Sequence, residues 1–64
     1  MKSYKVREII AMLNKDGWVL KATKGDHRQY THGTRPGKVT ISGRMADNIP
    51  QGLLNSIFKQ AGWK

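Results

Sequence analysis

The feature that most constrains this fold is a two-residue turn, Gly25-Asp26, between two segments with the composition of β-strands. A glycine-containing dipeptide between two such segments predicts a tight hairpin. The first segment, Trp18 to Lys24, alternates in polarity, and the second, His27 to His32, has one strongly apolar residue, Tyr30. The sequence therefore predicts two antiparallel strands, with Tyr30 on the face that points into the core.

A third strand is predicted from Lys38 to Ser42, after the turn-rich segment Gly33 to Gly37. Period-two alternation assigns the side chains to the two faces of the sheet. Trp18, Leu20 and Ala22 share one face of the first strand, and Arg28 and His32 lie on the Tyr30 side of the second, with Val39 and Ile41 also inward. The predicted polar face comprises Lys21, Thr23, His27, Gln29, Thr31, Lys38, Thr40 and Ser42.

Two amphipathic helices flank the predicted sheet. The first runs from an N-cap at Ser3 to about Lys15, and Gly17 ends it. The second is capped by Asn48 and accepts Pro50 in its first turn. Its predicted buried face comprises Leu53, Leu54, Ile57, Phe58 and Ala61. Gly62 is expected to end this helix, and the Trp63 side chain is expected to fold back onto its last turn. The sequence predicts an α+β fold, helix–three-stranded antiparallel sheet–helix, in a single domain of residues 1–64, with both helices on one face of the sheet.

The charge of the chain indicates an anionic partner. Twelve lysines and arginines against four acidic residues give a formal charge of +8. Such a charge favours nucleic acid first, an acidic protein second and a membrane surface third as the partner.

The chain has no cysteine, and no apolar run approaches the roughly 20 residues that span a bilayer. Met1 to Ser3 leads straight into a charged amphipathic stretch, so we expect a cytoplasmic protein with no membrane association.

His27 is the candidate for proton-transfer chemistry, because it follows the hairpin turn within a basic surface. Histidine exchanges a proton near neutral pH, and lysine or arginine beside it can stabilise charge that develops on a phosphate. The alternative is that His27 is an ordinary solvated surface residue. Four scattered carboxylates and two histidines offer no ligand cluster of recognised spacing, so we expect no metal and no cofactor.

Four segments carry a resemblance to a known family: Asp16-Gly17-Trp18, Gly25-Asp26-His27, Lys38-Val39-Thr40-Ile41 and Ile49 to Gly62. Together they resemble the HicA toxin family of bacterial toxin–antitoxin systems. The resemblance implies a double-stranded-RNA-binding-domain-like fold and metal-independent cleavage of mRNA by one histidine, which matches His27. It also implies neutralisation by a HicB-type antitoxin, which we expect to cover the face that carries His27.

The chain departs from that family at two positions. Arg28 stands where a second histidine is common, and Ser42-Gly43-Arg44 stands where a proline and another histidine are often found. If that downstream histidine is the second acid–base group of the family, it is missing here, and catalysis would need either His27 alone or a basic stand-in such as Arg44 for the second group. The predicted RNA-binding residues are Lys21, Lys24, Arg28, Gln29, Lys38 and Arg44, with Gly25 and Asp26 positioning the turn.

The competing hypothesis is a non-catalytic module that binds double-stranded RNA. Such a module uses loops and a helix N-terminus to contact phosphates and 2′-hydroxyls. Here the first hairpin loop is only Gly25-Asp26, and the start of the second helix, Asn48 to Leu54, contains no lysine or arginine. The sequence therefore favours the nuclease.

Overall fold

Two helices and three strands make up the fold in the computed structural model, which describes residues 3–63. Their order along the chain is α1 (Val6–Lys15), β1 (Trp18–Lys24), β2 (His27–His32), β3 (Lys38–Ile41) and α2 (Gln51–Gln60). The bounds of β1 and β2 agree with the prediction, and β3 ends one residue earlier than predicted. None of the helices in the described part of the chain has the length and apolar character needed to cross a bilayer.

The three strands form one antiparallel sheet in the order β1-β2-β3. Both helices pack on the same face, α1 against β1 and α2 against β3, as the apolar stripes predict. The core between these layers comprises Val6, Ile9, Ile10, Leu13, Trp18, Tyr30, Val39, Ile41, Ile49, Leu54, Ile57 and Ala61. The predicted α+β layout is confirmed, and no helix or strand of residues 3–63 covers the other face of the sheet.

The helix starts differ from the prediction, because the segments before them pair with each other. Lys5 and Asn48 form an isolated antiparallel bridge, and the Ile49 N–H donates to the Tyr4 carbonyl oxygen over 2.9 Å. The chain is therefore still extended at Lys5, and α1 begins at Val6 rather than just after Ser3. The Glu8 carboxylate accepts the Lys5 N–H over 2.8 Å at this end. The same bridge makes the predicted cap at Asn48 wrong.

The second helix begins after Pro50, which occupies the N-cap position with extended backbone angles (φ −56°, ψ 146°). Leu54, Ile57 and Ala61 are buried as predicted. Phe58 is half-buried between the rings of Tyr4 and Trp63, and Leu53 is 36% exposed rather than buried. Leu53 therefore lies at the margin of the apolar stripe of α2.

A β-bulge in β1 changes the predicted faces of that strand. Leu20 pairs with Tyr30, but the next residue of β2, Gln29, pairs with Ala22, so Lys21 is the extra residue. Directly opposed residues share a face, and the bulge therefore places Ala22, not Thr23, on the same face as Gln29. The prediction that Lys21 and Thr23 lie beside His27 on the polar face is wrong. Alternation in sequence cannot reveal an inserted residue, because the bulge depends on the partner strand.

Candidate active site

The tip of the β1–β2 hairpin positions His27. Gly25 has a φ of +59°, and Asp26 has a negative φ, which is the type II′ arrangement that matches the twist of paired strands. Lys24 and His27 face each other across this turn as directly paired residues. Such pairs have Cβ atoms about 4.5–5.5 Å apart and project to the same side of the sheet. The hairpin thus fixes a lysine beside the histidine.

The side chains of Asp26 and His27 are in contact with each other and with water. The Oδ1 atom of Asp26 lies 3.1 Å from the Nδ1 atom of His27, and the two side chains are 61% and 62% exposed. We expected the Asp26 carboxylate to bond to the backbone of the turn. The carboxylate makes no such hydrogen bond within residues 3–63, and its partner is the His27 ring. The two residues are adjacent in sequence, and that adjacency is the one signal from which the contact could have been predicted.

An open depression of about 330 Å³ lies on the uncovered face of the sheet, next to the hairpin tip. Ala22, Lys24, His27, Gln29 and Thr40 line it. Lys24 gives this lining a positive charge, and the Asp26 carboxylate lies beside His27 at the edge of the depression. The bulge places Ala22 and Lys24 here, and the register of β3, in which Thr40 pairs with Gln29, adds Thr40.

Lys38 and Lys21 take different positions relative to this depression. Lys38 pairs with Thr31 at the start of β3 and is exposed on the same face of the sheet. Lys21 is exposed at the bulge and has no direct partner on β2. Lys38 therefore extends the positive charge of the uncovered face, whereas Lys21 lies at the open edge of β1.

Arg28 and the segment after β3 contact each other on the opposite side of the sheet. Arg28 pairs with the buried Ile41, and its Nη1 atom donates a hydrogen bond of 2.9 Å to the Gly43 carbonyl oxygen. Arg44 is exposed, and its backbone N–H donates to the Asp47 carboxylate over 3.0 Å. The two positions at which the sequence departs from the family pattern thus meet in space, away from the His27 ring.

His32, the second histidine, has the contacts of a structural residue. Its Nε2 atom lies 2.8 Å from the Asp16 carbonyl oxygen, and its Nδ1 atom accepts the Thr34 N–H over 3.1 Å. Its ring also packs edge-on against Trp18, with 5.3 Å between centroids. Because the carbonyl oxygen can only accept, Nε2 carries a proton in this arrangement, and both ring nitrogens are engaged.

Two groups outside the depression have shifted pKa values. Hydrogen bonding from Trp63 lowers the pKa of the Asp16 carboxyl, with Arg35 and Trp18 acting in the same direction against partial desolvation. Burial raises the pKa of the Tyr30 hydroxyl, and the charge of Arg28 partly offsets that rise.

Within residues 3–63, no three side chains of His, Cys, Asp or Glu come together to form a metal-binding group.

A family model described as HicA toxin of bacterial toxin–antitoxin systems matches residues 6–63. The match includes both helices and the whole sheet, and so also the hairpin tip and the depression beside it. No curated protein matches the chain.

Proposed function

The chain belongs to the HicA toxin family of bacterial toxin–antitoxin systems, and we propose that it is a metal-independent endoribonuclease that cleaves mRNA with His27 as general acid/base. We further propose that a HicB-type antitoxin neutralises it in the cytoplasm. The observation that carries the proposal is the exposed His27 ring at the edge of a lysine-lined depression.

RNA supplies its own nucleophile, so the protein has only to move protons and stabilise charge. Removal of the 2′-hydroxyl proton lets O2′ attack the adjacent phosphorus, and the P–O5′ bond breaks as O5′ takes up a proton. The products are a 2′,3′-cyclic phosphate and a 5′-hydroxyl. A histidine can accept the first proton or donate the second. No metal-activated water is needed for this route.

Lys24 is the cation best placed to stabilise the phosphorane-like transition state. It is directly opposite His27 on the same face and lines the same depression. A positive charge close to a phosphate that gains negative charge lowers the barrier more than it favours ground-state binding. Lys24 therefore takes the electrostatic role in the proposed mechanism.

The uncovered face of the sheet is the proposed path of the RNA strand. Lys24, Gln29 and Lys38 lie on this face and are proposed to contact its phosphates and sugars. Lys21 and Arg44 are exposed at the edge of β1 and after β3, and would contact RNA outside the depression. Arg28 points to the other side, so any contact that it makes with RNA would lie beyond the end of β3.

The same uncovered face is the proposed docking surface of the antitoxin. Its charge complements an acidic protein surface, and a protein placed over His27 would exclude RNA from the depression. Binding of RNA and binding of the antitoxin should therefore be mutually exclusive.

The test is cleavage of a labelled single-stranded RNA by the wild type and by His27→Ala, with EDTA in both reactions. Thr23→Ala is the matched control, since Thr23 is exposed on the same hairpin but lies on the opposite face. The wild type and Thr23→Ala should cut in chelator and leave 5′-hydroxyl ends, and His27→Ala should not cut.

Two results would refute the proposal. Cleavage that EDTA abolishes would show a metal requirement. Equal RNA binding by all three proteins with no cutting by any of them would instead support the non-catalytic RNA-binding module. Circular dichroism of each variant establishes that the fold is retained.

A further inference from the structure

The carboxylate of Asp26 has one polar side-chain partner among the described residues, the His27 ring. Its Oδ1 atom lies 3.1 Å from Nδ1, and both groups are mostly exposed. Aspartate at the second position of the turn is not needed for the backbone conformation, because Gly25 has the positive φ and Asp26 does not. Aspartate is also a usual residue at this position of a hairpin turn, so it is the contact of its carboxylate with the His27 ring that points to a further role.

A carboxylate oxygen beside Nδ1 favours the tautomer in which Nδ1 carries the proton. The ionised group has only acceptor lone pairs, so it repels an unprotonated Nδ1 and attracts an Nδ1–H. In the neutral ring the lone pair is then on Nε2. That second nitrogen is the atom left to exchange a proton with a substrate, as in other histidines that a carboxylate orients.

We propose that Asp26 is a positioning residue for His27: it holds the ring with Nδ1 protonated and leaves Nε2 as the nitrogen that exchanges a proton with RNA. This inference rests on the proposed function. It assigns a role to a specific nitrogen, and it separates Asp26, which would act through His27, from Lys24, which would contact the phosphate.

Two substitutions separate the effect on the ring from the effect on the turn. Asp26→Ala removes the acceptor and keeps a residue that adopts negative φ readily. Asp26→Asn removes the charge and keeps an oxygen that can still accept from Nδ1–H. Both variants should fold, because position 26 does not have the positive φ that Gly25 has. The readouts are the ¹⁵N chemical shifts of the neutral His27 ring, which report its tautomer, and the single-stranded RNA assay in EDTA.

The expected result has two parts. Asp26→Ala should shift the ring from the Nδ1–H toward the Nε2–H tautomer and lower kcat about tenfold with KM little changed, the scale typical of losing a partner that orients a histidine. Asp26→Asn should recover part of both effects. An unchanged tautomer in Asp26→Ala, or an unchanged kcat, or a loss confined to KM, would overturn the inference.

Failure of this inference can be distinguished from failure of the proposed function. If His27→Ala cuts as well as the wild type, or the wild type does not cut, the proposed function falls and the role of Asp26 falls with it. If cleavage depends on His27 but Asp26→Ala matches the wild type in tautomer or in kcat, only the role of Asp26 is refuted.

Discussion

The indole Nε1 of Trp63 donates a hydrogen bond of 2.9 Å to the carboxylate of Asp16, a residue 47 positions earlier in the chain. The same carboxylate oxygen accepts from Trp18 Nε1 over 3.3 Å and from the Arg35 guanidinium. Arg35 also donates to the Ala61 carbonyl oxygen at the end of α2. One side chain thus connects the end of α1, the start of β1, the β2–β3 connection and the residues after α2.

This contact predicts a pH dependence of stability. The folded state lowers the pKa of Asp16, so the folded state binds fewer protons than the unfolded state near that pKa. The stabilisation is present above the ordinary aspartate pKa of about 3.9 and is lost as the pH falls through the lower, folded-state value. Urea unfolding from pH 7 to pH 2 should show this loss in the wild type, and Asp16→Asn should show a flatter profile. Parallel profiles for the two proteins would contradict the prediction.

The two histidines should separate function from stability. His32→Ala should lower the free energy of unfolding by about 1–3 kcal/mol, because the Thr34 N–H loses its acceptor and the Asp16 carbonyl its donor. His27→Ala should leave that free energy nearly unchanged, since the His27 side chain is 62% exposed. Urea denaturation of both variants makes the comparison. Equal destabilisation would assign His27 to the structure rather than to the chemistry.

Adjacent leucines of α2 offer a test of the core. Leu54 is 4% exposed, whereas Leu53 is 36% exposed. Leu54→Ala should cost about 2–5 kcal/mol through lost burial and the cavity left behind. That is a large share of the roughly 3–10 kcal/mol expected for a domain of this size. Leu53→Ala should cost less than about 1 kcal/mol. Thermal unfolding followed by circular dichroism distinguishes them, and a reversed order would refute this placement of the helix.

The lysines of the uncovered face should account for part of the salt dependence of RNA binding. Lys24→Ala and Lys38→Ala should each weaken binding and lower the slope of log K against log salt by about 1, because each removes one phosphate contact. Lys59→Ala is the matched control, since it removes an exposed charge from the last turn of α2, on the helical side of the sheet. Fluorescence anisotropy over a salt series measures the slopes. An equal effect from Lys59→Ala would show that net charge alone sets the affinity.

Much of the site could be predicted, because the hairpin is a local structure. The dipeptide Gly25-Asp26 and the strand patterns around it fix the position of His27 at the tip and its exposure on the uncovered face. The neighbours on β1 could not be predicted in this way. The bulge at Lys21 depends on pairing with β2, and it places Ala22 and Lys24, rather than Lys21 and Thr23, on the same face as His27. Period-two alternation assumes an unbroken strand, so one inserted residue inverts every assignment after it.

The sequence by itself determined the order of the elements, the tight hairpin and the single face that both helices cover. These features follow from local periodicity and turn chemistry, which act within a few residues. Only the tertiary structure decided where the helices begin, because Lys5 and Asn48 pair across 43 positions of sequence. It also decided that Asp16 is the acceptor shared by Trp18, Trp63 and Arg35. Such contacts join residues that the folded chain alone brings together, so no local pattern encodes them.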